Sequence, residues 1–426
     1  MEIYALTNCV LLDGTEAMQP QTGKAILVRN GKIEGIVPQA EIPKEYPLRD
    51  LDGQYVLPGL INLHVHLAGS GKPKKKQTDP VKAVNLVTAT SLTKKLGQAM
   101  VAGYAKEQLL SGVTTIRTVG GILDFDAQLR DRINAGTQVG PRILAGNMAI
   151  SVPGGHMAGS LAYTVTSPEE AVHCVNEITA TRPDLIKLMI TGGVLDAVKK
   201  GEPGVLKMDP AIIRAACDRA HQLGLKVAAH VESPEGVRAA LENGVDTIEH
   251  GAMPDKETIE LFRKTGASLV TTISPTLSFA LFDQSVSHAT DMQKYNGKIV
   301  MDGIIGCAKA CLEAGIPVGL GTDTACPYVT QYDTWRELQY FRRFCGVSNG
   351  TALYTATLGN ARIAGIDNET GSIAPGKSAD LIVCRENPLN NLTALRHLSH
   401  VIFRGKFYAP KVTPIRQVEQ ELDNYL

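Results

Sequence analysis

An α/β fold, a (β/α)8 TIM barrel with a small β-sandwich domain formed by the N- and C-terminal segments, is predicted by three features of this sequence. Eight short apolar runs alternate with capped helices through the middle of the chain, and both ends have an all-β texture. The 426-residue length accommodates one barrel of about 250 residues or more together with a smaller unit. Scarce aromatics, 5% of residues, leave the interior to Val, Ile, Leu and Ala, which suits tightly layered parallel strands.

The eight strand candidates span residues 60–67, 113–119, 142–150, 185–190, 226–231, 246–250, 268–274 and 317–322. Gly224, Gly244, Gly266 and Gly315 each close a helix and precede one of the apolar runs, the helix, glycine, strand order of parallel βα units. Ser167-Pro168-Glu169-Glu170 combines an N-cap serine, a proline at the first helical position and a glutamate placed for a capping box. Asp209-Pro210 and Ser233-Pro234 open helices in the same manner. Two connections, 68–112 and 275–315, exceed the short-loop norm and predict lids or oligomer contacts.

At the N-terminal end, strands near 6–12 and 25–28 are punctuated by Asp13-Gly14 and Asn30-Gly31, dipeptides that supply the positive φ of tight turns. At the C-terminal end, Ala379-Asp380-Leu381-Ile382-Val383 and Val401-Ile402-Phe403 have the same character. The expected division is 1–57 plus 368–426 for the sandwich and 58–367 for the barrel.

Charge balance narrows the partners. With 43 Lys and Arg against 43 Asp and Glu, the formal net charge is zero, so no nucleic-acid partner is expected. The four lysines within residues 72–76 read as a solvated lid segment. Gly69-Ser70-Gly71-Lys72 lacks the spacing of a phosphate loop and is followed by Pro73, which excludes that reading. The eight cysteines contain no C-x-x-C pair and predict reduced, mostly buried thiols. Without a basic, apolar leader or eighteen consecutive apolar residues, no membrane association is expected, and a cytoplasmic location is the default.

Chemistry is concentrated at the ends of the predicted strands. His64 and His66 lie two residues apart on the first strand, so the pleat aims both imidazoles to one side. His230 ends the fifth strand, His250 the sixth, and Asp323 follows the eighth. Lys187 sits inside the apolar run Leu185-Ile186-Lys187-Leu188-Met189-Ile190, where an ammonium needs a partner. The C-terminal ends of barrel strands converge on one mouth, so four imidazoles, a carboxylate and an amine meet there, a donor set suited to zinc or a similar divalent ion.

Over nearly its whole length the chain resembles the amidohydrolase superfamily. The resemblance runs from Val56-Leu57-Pro58-Gly59-Leu60-Ile61-Asn62-Leu63-His64-Val65-His66 through Lys187, His230, His250 and Gly321-Thr322-Asp323. It ends in Ala356-Thr357-Leu358-Gly359-Asn360-Ala361 and Gly371-Ser372-Ile373-Ala374-Pro375-Gly376-Lys377. Lys187, Thr191-Gly192-Gly193 and Gly154-Gly155-His156 are similar to the binuclear branch of imidazolonepropionase-like prolidases and Xaa-Arg or Xaa-Pro dipeptidases. After His156 the chain reads Met157-Ala158-Gly159-Ser160, a departure from the small polar or acidic run frequent in that branch.

The resemblance implies two divalent metal ions, Zn2+ in the first instance. His64, His66 and Asp323 would bind the more buried ion and His230 and His250 the more exposed one, with a carboxylated Lys187 bridging both. A metal-bridging hydroxide would attack the amide of a small carboxylate-bearing substrate, a dipeptide or N-acyl amino acid, with Asp323 as proton shuttle and His156 contacting the substrate or its oxyanion. The alternatives are a cyclic-amide hydrolase or lactonase on the same site, then deaminase chemistry, and, from another class, a catalytically silent scaffold. The 192–204 segment, glycine-rich with Lys199, Lys200 and Glu202, reads as a lid or a solvated turn. A homo-oligomer is expected from the resemblance alone.

Overall fold

The computed structural model describes residues 2–73 and 79–426; most of the lysine run, residues 74–76, lies outside the described residues. The predicted barrel is present. Its strands are numbered β1 (Leu60–Val65), β2 (Val113–Thr118), β3 (Arg142–Leu144 and Ala149–Ser151), β4 (Leu185–Met189), β5 (Lys226–Val231), β6 (Thr247–His250), β7 (Ser268–Thr271) and β8 (Val318–Leu320). All neighbouring pairs from β1 to β8 are parallel, and most strand residues are buried, as expected for a sheet covered by helices.

The third strand differs from its expected continuous form. Its first half pairs with β2 and its second half with β4, and the chain between them turns at Gly146 and Asn147. Asn147 has φ of +54° and is held by accepting from Ala127 N and donating to Thr181 Oγ1. A side chain on Gly146 would lie 2.5 Å from the Thr118 carbonyl oxygen, so close backbone approach explains the break.

Closure between β8 and β1 relies on a side chain. Asn360 Nδ2 donates to the carbonyls of Ile61 and Leu320 at 2.7 and 2.9 Å, while its Oδ1 accepts from Leu320 N at 2.9 Å. One amide thereby satisfies three buried backbone groups that no neighbouring strand reaches. At the top of the same seam, Asp323 N donates to His64 O at 2.9 Å.

The helices end where the sequence indicates. Ser167, Asp209 and Ser233 each cap a helix with their side chains, and Gly224, Gly244, Gly266 and Gly315 all have positive φ. The capping box at Ser167 is altered, because Glu170 reaches the Thr166 amide and hydroxyl. Both long connections are helical, with Pro80–Thr88 and Ser91–Leu110 in the first and Ser274–Ala280, Gln284–Ser287 and Asp291–Glu313 in the second. No helix among the described residues is long and apolar enough to cross a membrane.

The terminal segments form two sheets facing one another across a shared core that includes Leu6, Ile26, Val28, Val56, Leu381 and Ile402. One sheet is N-terminal throughout, and the other joins Val10–Leu11 and Tyr55–Pro58 to Leu381–Cys384, Leu398–Phe403 and Lys406–Tyr408. The expected strand at 6–12 is split between these sheets at Asn8, whose φ of +50° turns the chain from one to the other. Asn30-Gly31 makes the hairpin its sequence predicts, whereas Asp13-Gly14 lies in the longer connection between the antiparallel-bridged Leu11 and Gln21, where Asp13 accepts from the Thr15 amide and hydroxyl. Beyond the sandwich, the helix Arg416–Leu422 returns to the barrel, where Glu419 and Asp423 pair with the buried Arg336 at 2.8 and 2.7 Å. All eight cysteines are free, and all except Cys326 are buried.

Asn360→Ala strands the Ile61 and Leu320 backbone groups in the barrel wall. It is expected to lower unfolding stability by roughly 3 kcal/mol or more, read from denaturant midpoints, since each of the three buried groups left unsatisfied costs about 1–3 kcal/mol.

Candidate functional site

All the metal-ligand candidates are delivered to one mouth of the barrel. His64, His66, Lys187, His230, His250 and Asp323 are all buried. The ring centroids lie 5.3 Å apart for His64 and His66, 4.8 Å for His64 and His250, and 4.6 Å for His230 and His250. His64, His250 and Asp323 present donor atoms within 4.8 Å of one another, and His230, Glu232 and His250 form a second such group.

Backbone conformation aims these groups. His250 has φ of +69° and Asp323 of +56°, a left-handed region that costs a non-glycine residue about 1–3 kcal/mol and is tolerated where surroundings enforce it. In a regular strand Glu249 and His250 would face opposite sides; the turn at His250 lets both face the interior. Gly321 is required beside them, because an added Cβ would lie 2.3 Å from His64 Cβ.

The hydrogen bonds define which nitrogens are free. His66 Nδ1 lies 2.7 Å from the Gly120 carbonyl, which only accepts, so Nδ1 carries the proton and Nε2 holds a lone pair. That Nε2 faces Asp323 Oδ1 at 3.1 Å, and His64 Nε2 faces the same oxygen at 3.5 Å. A lone pair opposed to a carboxylate needs a proton or a cation between them. Burial, then Lys187, pushes His64 down to about 4, and burial also holds His230 and His250 well below the usual imidazole range. Neutral imidazoles gathered around a carboxylate are therefore suited to a divalent cation.

Lys187 is the anomalous member. Its Nζ is buried with no hydrogen-bond partner among the described residues. Burial, opposed by the negative charges of Glu249 and Asp323, brings the amine down to about 8.

Beneath the mouth, Glu249 accepts from Arg117 Nη2 at 2.7 Å, Thr247 Oγ1 at 2.7 Å and His64 Nδ1 at 2.8 Å. Burial alone would raise its pKa, but Arg117 and the His64 hydrogen bond hold it well below the carboxylate range. Neither Glu249 nor Arg117 was among the sequence candidates. Their signal was the one that marked Lys187, a charge inside an apolar strand: Thr-Thr-Ile-Arg-Thr for Arg117 and Thr-Ile-Glu-His for Glu249.

His156 reaches the same mouth. Its ring stacks on His230 at 4.1 Å, and its Nδ1 is hydrogen-bonded to Asp196 Oδ2, which also accepts from Gly193 N at 3.0 Å. The 192–204 segment thus supplies Asp196 to orient His156. The segment is also fastened outside: Asn296 is buried, accepts from Gly201 N and donates to Lys199 O. Gly71 of the glycine-rich stretch after β1 is explained by packing, since an added Cβ would lie 2.1 Å from the Val329 carbonyl oxygen.

Glu232, two residues beyond His230, is a further group absent from the sequence candidates. Its Oε2 is buried without a partner among the described residues, and burial, with Asp323 and Asp196 nearby, pushes the carboxyl up to about 8.

The amidohydrolase family model matches residues 55–408, and a model of the NagA composite domain matches residues 3–56. The chain belongs to the amidohydrolase family. Among solved structures, this amidohydrolase is similar to a protein from Bifidobacterium longum provisionally assigned as a prolidase, with 39% identity and a TM-score of 0.88 over 99% of this chain and 98% of the other. It is also similar to a Xaa-Pro dipeptidase with methionine bound in its active site, at 27% identity and a TM-score of 0.84, covering 96% of this chain and 100% of the other. Ochratoxinase from Aspergillus niger is 25% identical over 93% of this chain and 85% of its own. These neighbours place the chain on the prolidase-like branch of the family, whose members hydrolyse carbon–nitrogen bonds of small molecules.

Glu249→Ala leaves Arg117 buried without its carboxylate and is expected to cost about 3–5 kcal/mol of stability, measured by chemical denaturation. Adding Arg117→Met removes the stranded charge and is expected to recover part of that loss.

Proposed function

We propose that this amidohydrolase is a binuclear metal-dependent hydrolase that cleaves the amide bond of a small carboxylate-bearing substrate, a dipeptide or N-acyl amino acid. The observation that carries the reading is the Lys187 amine, buried without a partner beside neutral imidazoles and Asp323. With its pKa lowered to about 8, a deprotonated fraction of this amine is available to add carbon dioxide: the nitrogen lone pair forms the N–C bond, a proton leaves, and the carbamate offers two oxygens.

In this reading His64, His66 and Asp323 would hold the buried cation, His230 and His250 the exposed one, and a carboxylated Lys187 would serve both. Two divalent cations, with zinc the favoured identity for this donor set, supply activation of a water molecule and polarisation of the scissile carbonyl. Asp323 takes the proton released on attack and delivers it to the departing nitrogen, which leaves as an amine. Glu249 keeps the His64 ring in register from beneath, through the bond to Nδ1. His156, held by Asp196 and stacked on His230, contacts the substrate or its developing oxyanion. The likeness to a Xaa-Pro dipeptidase over nearly the full chain supports a dipeptide-sized substrate.

The catalytic unit is assigned to residues 58–367 and the sandwich to 1–57 with 368–426. A homo-oligomer, supported by the exposed apolar side chains Leu86, Leu92 and Leu96 on the helices after β1, and a cytoplasmic location complete the proposal.

A screen of dipeptides and N-acyl amino acids varied at the C-terminal residue, then esters and lactones, tests the substrate class; activity confined to lactones would refute it. Asp323→Asn is expected to slow turnover by about 10²–10⁴-fold. Lys187→Ala is expected to abolish both turnover and bridged metal binding, and a Lys187→Ala protein with two metals and full activity would refute the carbamate.

A further inference from the structure

The end of β5 carries a residue pair that parallels the one on β1. His64 and His66 are separated by one residue and face the same side; so are His230 and Glu232, with Val231 between them facing the barrel wall. Glu232 offers an oxygen that lies within 4.8 Å of donor nitrogens of both His230 and His250. Its Oε2 is shielded from solvent and has no hydrogen-bond partner among the described residues. Its surroundings supply no basic side chain in salt-bridge contact among the described residues, and the nearest charges acting on it, Asp323 and Asp196, are negative. A carboxylate oxygen held there beside two imidazoles is placed for a cation.

Resting on the metal-dependent reading above, the geometry points to Glu232 as a further ligand of the exposed cation, completing with His230 and His250 a three-residue protein donor set independent of Lys187. The two ends of the centre then carry matching protein donors: two imidazoles and Asp323 on the buried side, two imidazoles and Glu232 on the exposed side. The added oxygen donor makes the exposed position more tolerant of harder ions such as Mn2+ than a site of imidazoles and carbamate alone.

The test is metal stoichiometry and affinity in Glu232→Gln, a variant of nearly the same volume that keeps an amide oxygen but removes the charge. After equal dialysis, wild type is expected to hold two Zn2+ per chain and Glu232→Gln one, or a second ion bound at least about tenfold more weakly in chelator competition. A Co2+-loaded sample supplies a readout besides activity: the visible absorption of the second Co2+ is expected to change in the variant and that of the first to persist. Thermal unfolding of the metal-free proteins distinguishes lost ligation from lost folding, with equal midpoints expected; Glu232→Asp, retaining the charge, is expected to recover part of the second-ion affinity. Unchanged stoichiometry, affinity and Co2+ spectrum in Glu232→Gln would overturn the assignment of Glu232 while leaving the binuclear reading intact. A wild-type protein that binds no second ion would overturn both.

Discussion

Opposed lone pairs at the barrel mouth are the constraint around which this structure is organised. A protonated Nδ1 on His66, committed to the Gly120 carbonyl, leaves Nε2 facing Asp323 Oδ1 at 3.1 Å. Four buried imidazoles, Asp323, Glu232 and the Lys187 amine gather at one mouth, with His156 stacked on His230. Placing a second proton on His64, His230 or His250 is disfavoured by burial. Divalent positive charge would resolve the conflict, and the one amine in the group has no hydrogen-bond partner among the described residues.

The rest of the fold holds that arrangement in place. Glu249 and Arg117 form a buried pair under the mouth, tying β6 to β2 and fixing the His64 ring. Left-handed turns at His250 and Asp323 re-aim side chains that a regular strand would direct elsewhere. Gly321 makes room for His64, and Asn360 closes the seam on which His64 and Asp323 meet. Strain at the mouth is borne by a barrel of parallel strands, interrupted within the third strand and closed between the eighth and first by Asn360.

The parts legible in the sequence were those with local signals. Helix caps, terminal glycines and apolar runs located the barrel strands; the strand ends located five candidate ligands, because strand direction places those ends together whatever the loops do, and a charge inside an apolar run located Lys187. What escaped had its cause in backbone conformation or long-range contact. The break within the third strand arises from Gly146 meeting Thr118, and the split at Asn8 from one residue's positive φ. Asp196 meets His156 forty residues away across a loop, a pairing that no local pattern encodes. Glu249 and Glu232 each lie within two residues of a singled-out histidine, yet strict alternation of strand faces concealed the first, and the second lies just past its strand.

The most direct test of the central claim is 13C NMR of metal-loaded protein prepared in 13C-bicarbonate. A carbamate carbon resonance is expected in the wild type, absent from Lys187→Ala and lost when metal is removed at low bicarbonate. A fully active protein holding two metal ions and showing no carbamate resonance would contradict the assignment of Lys187 as the bridge.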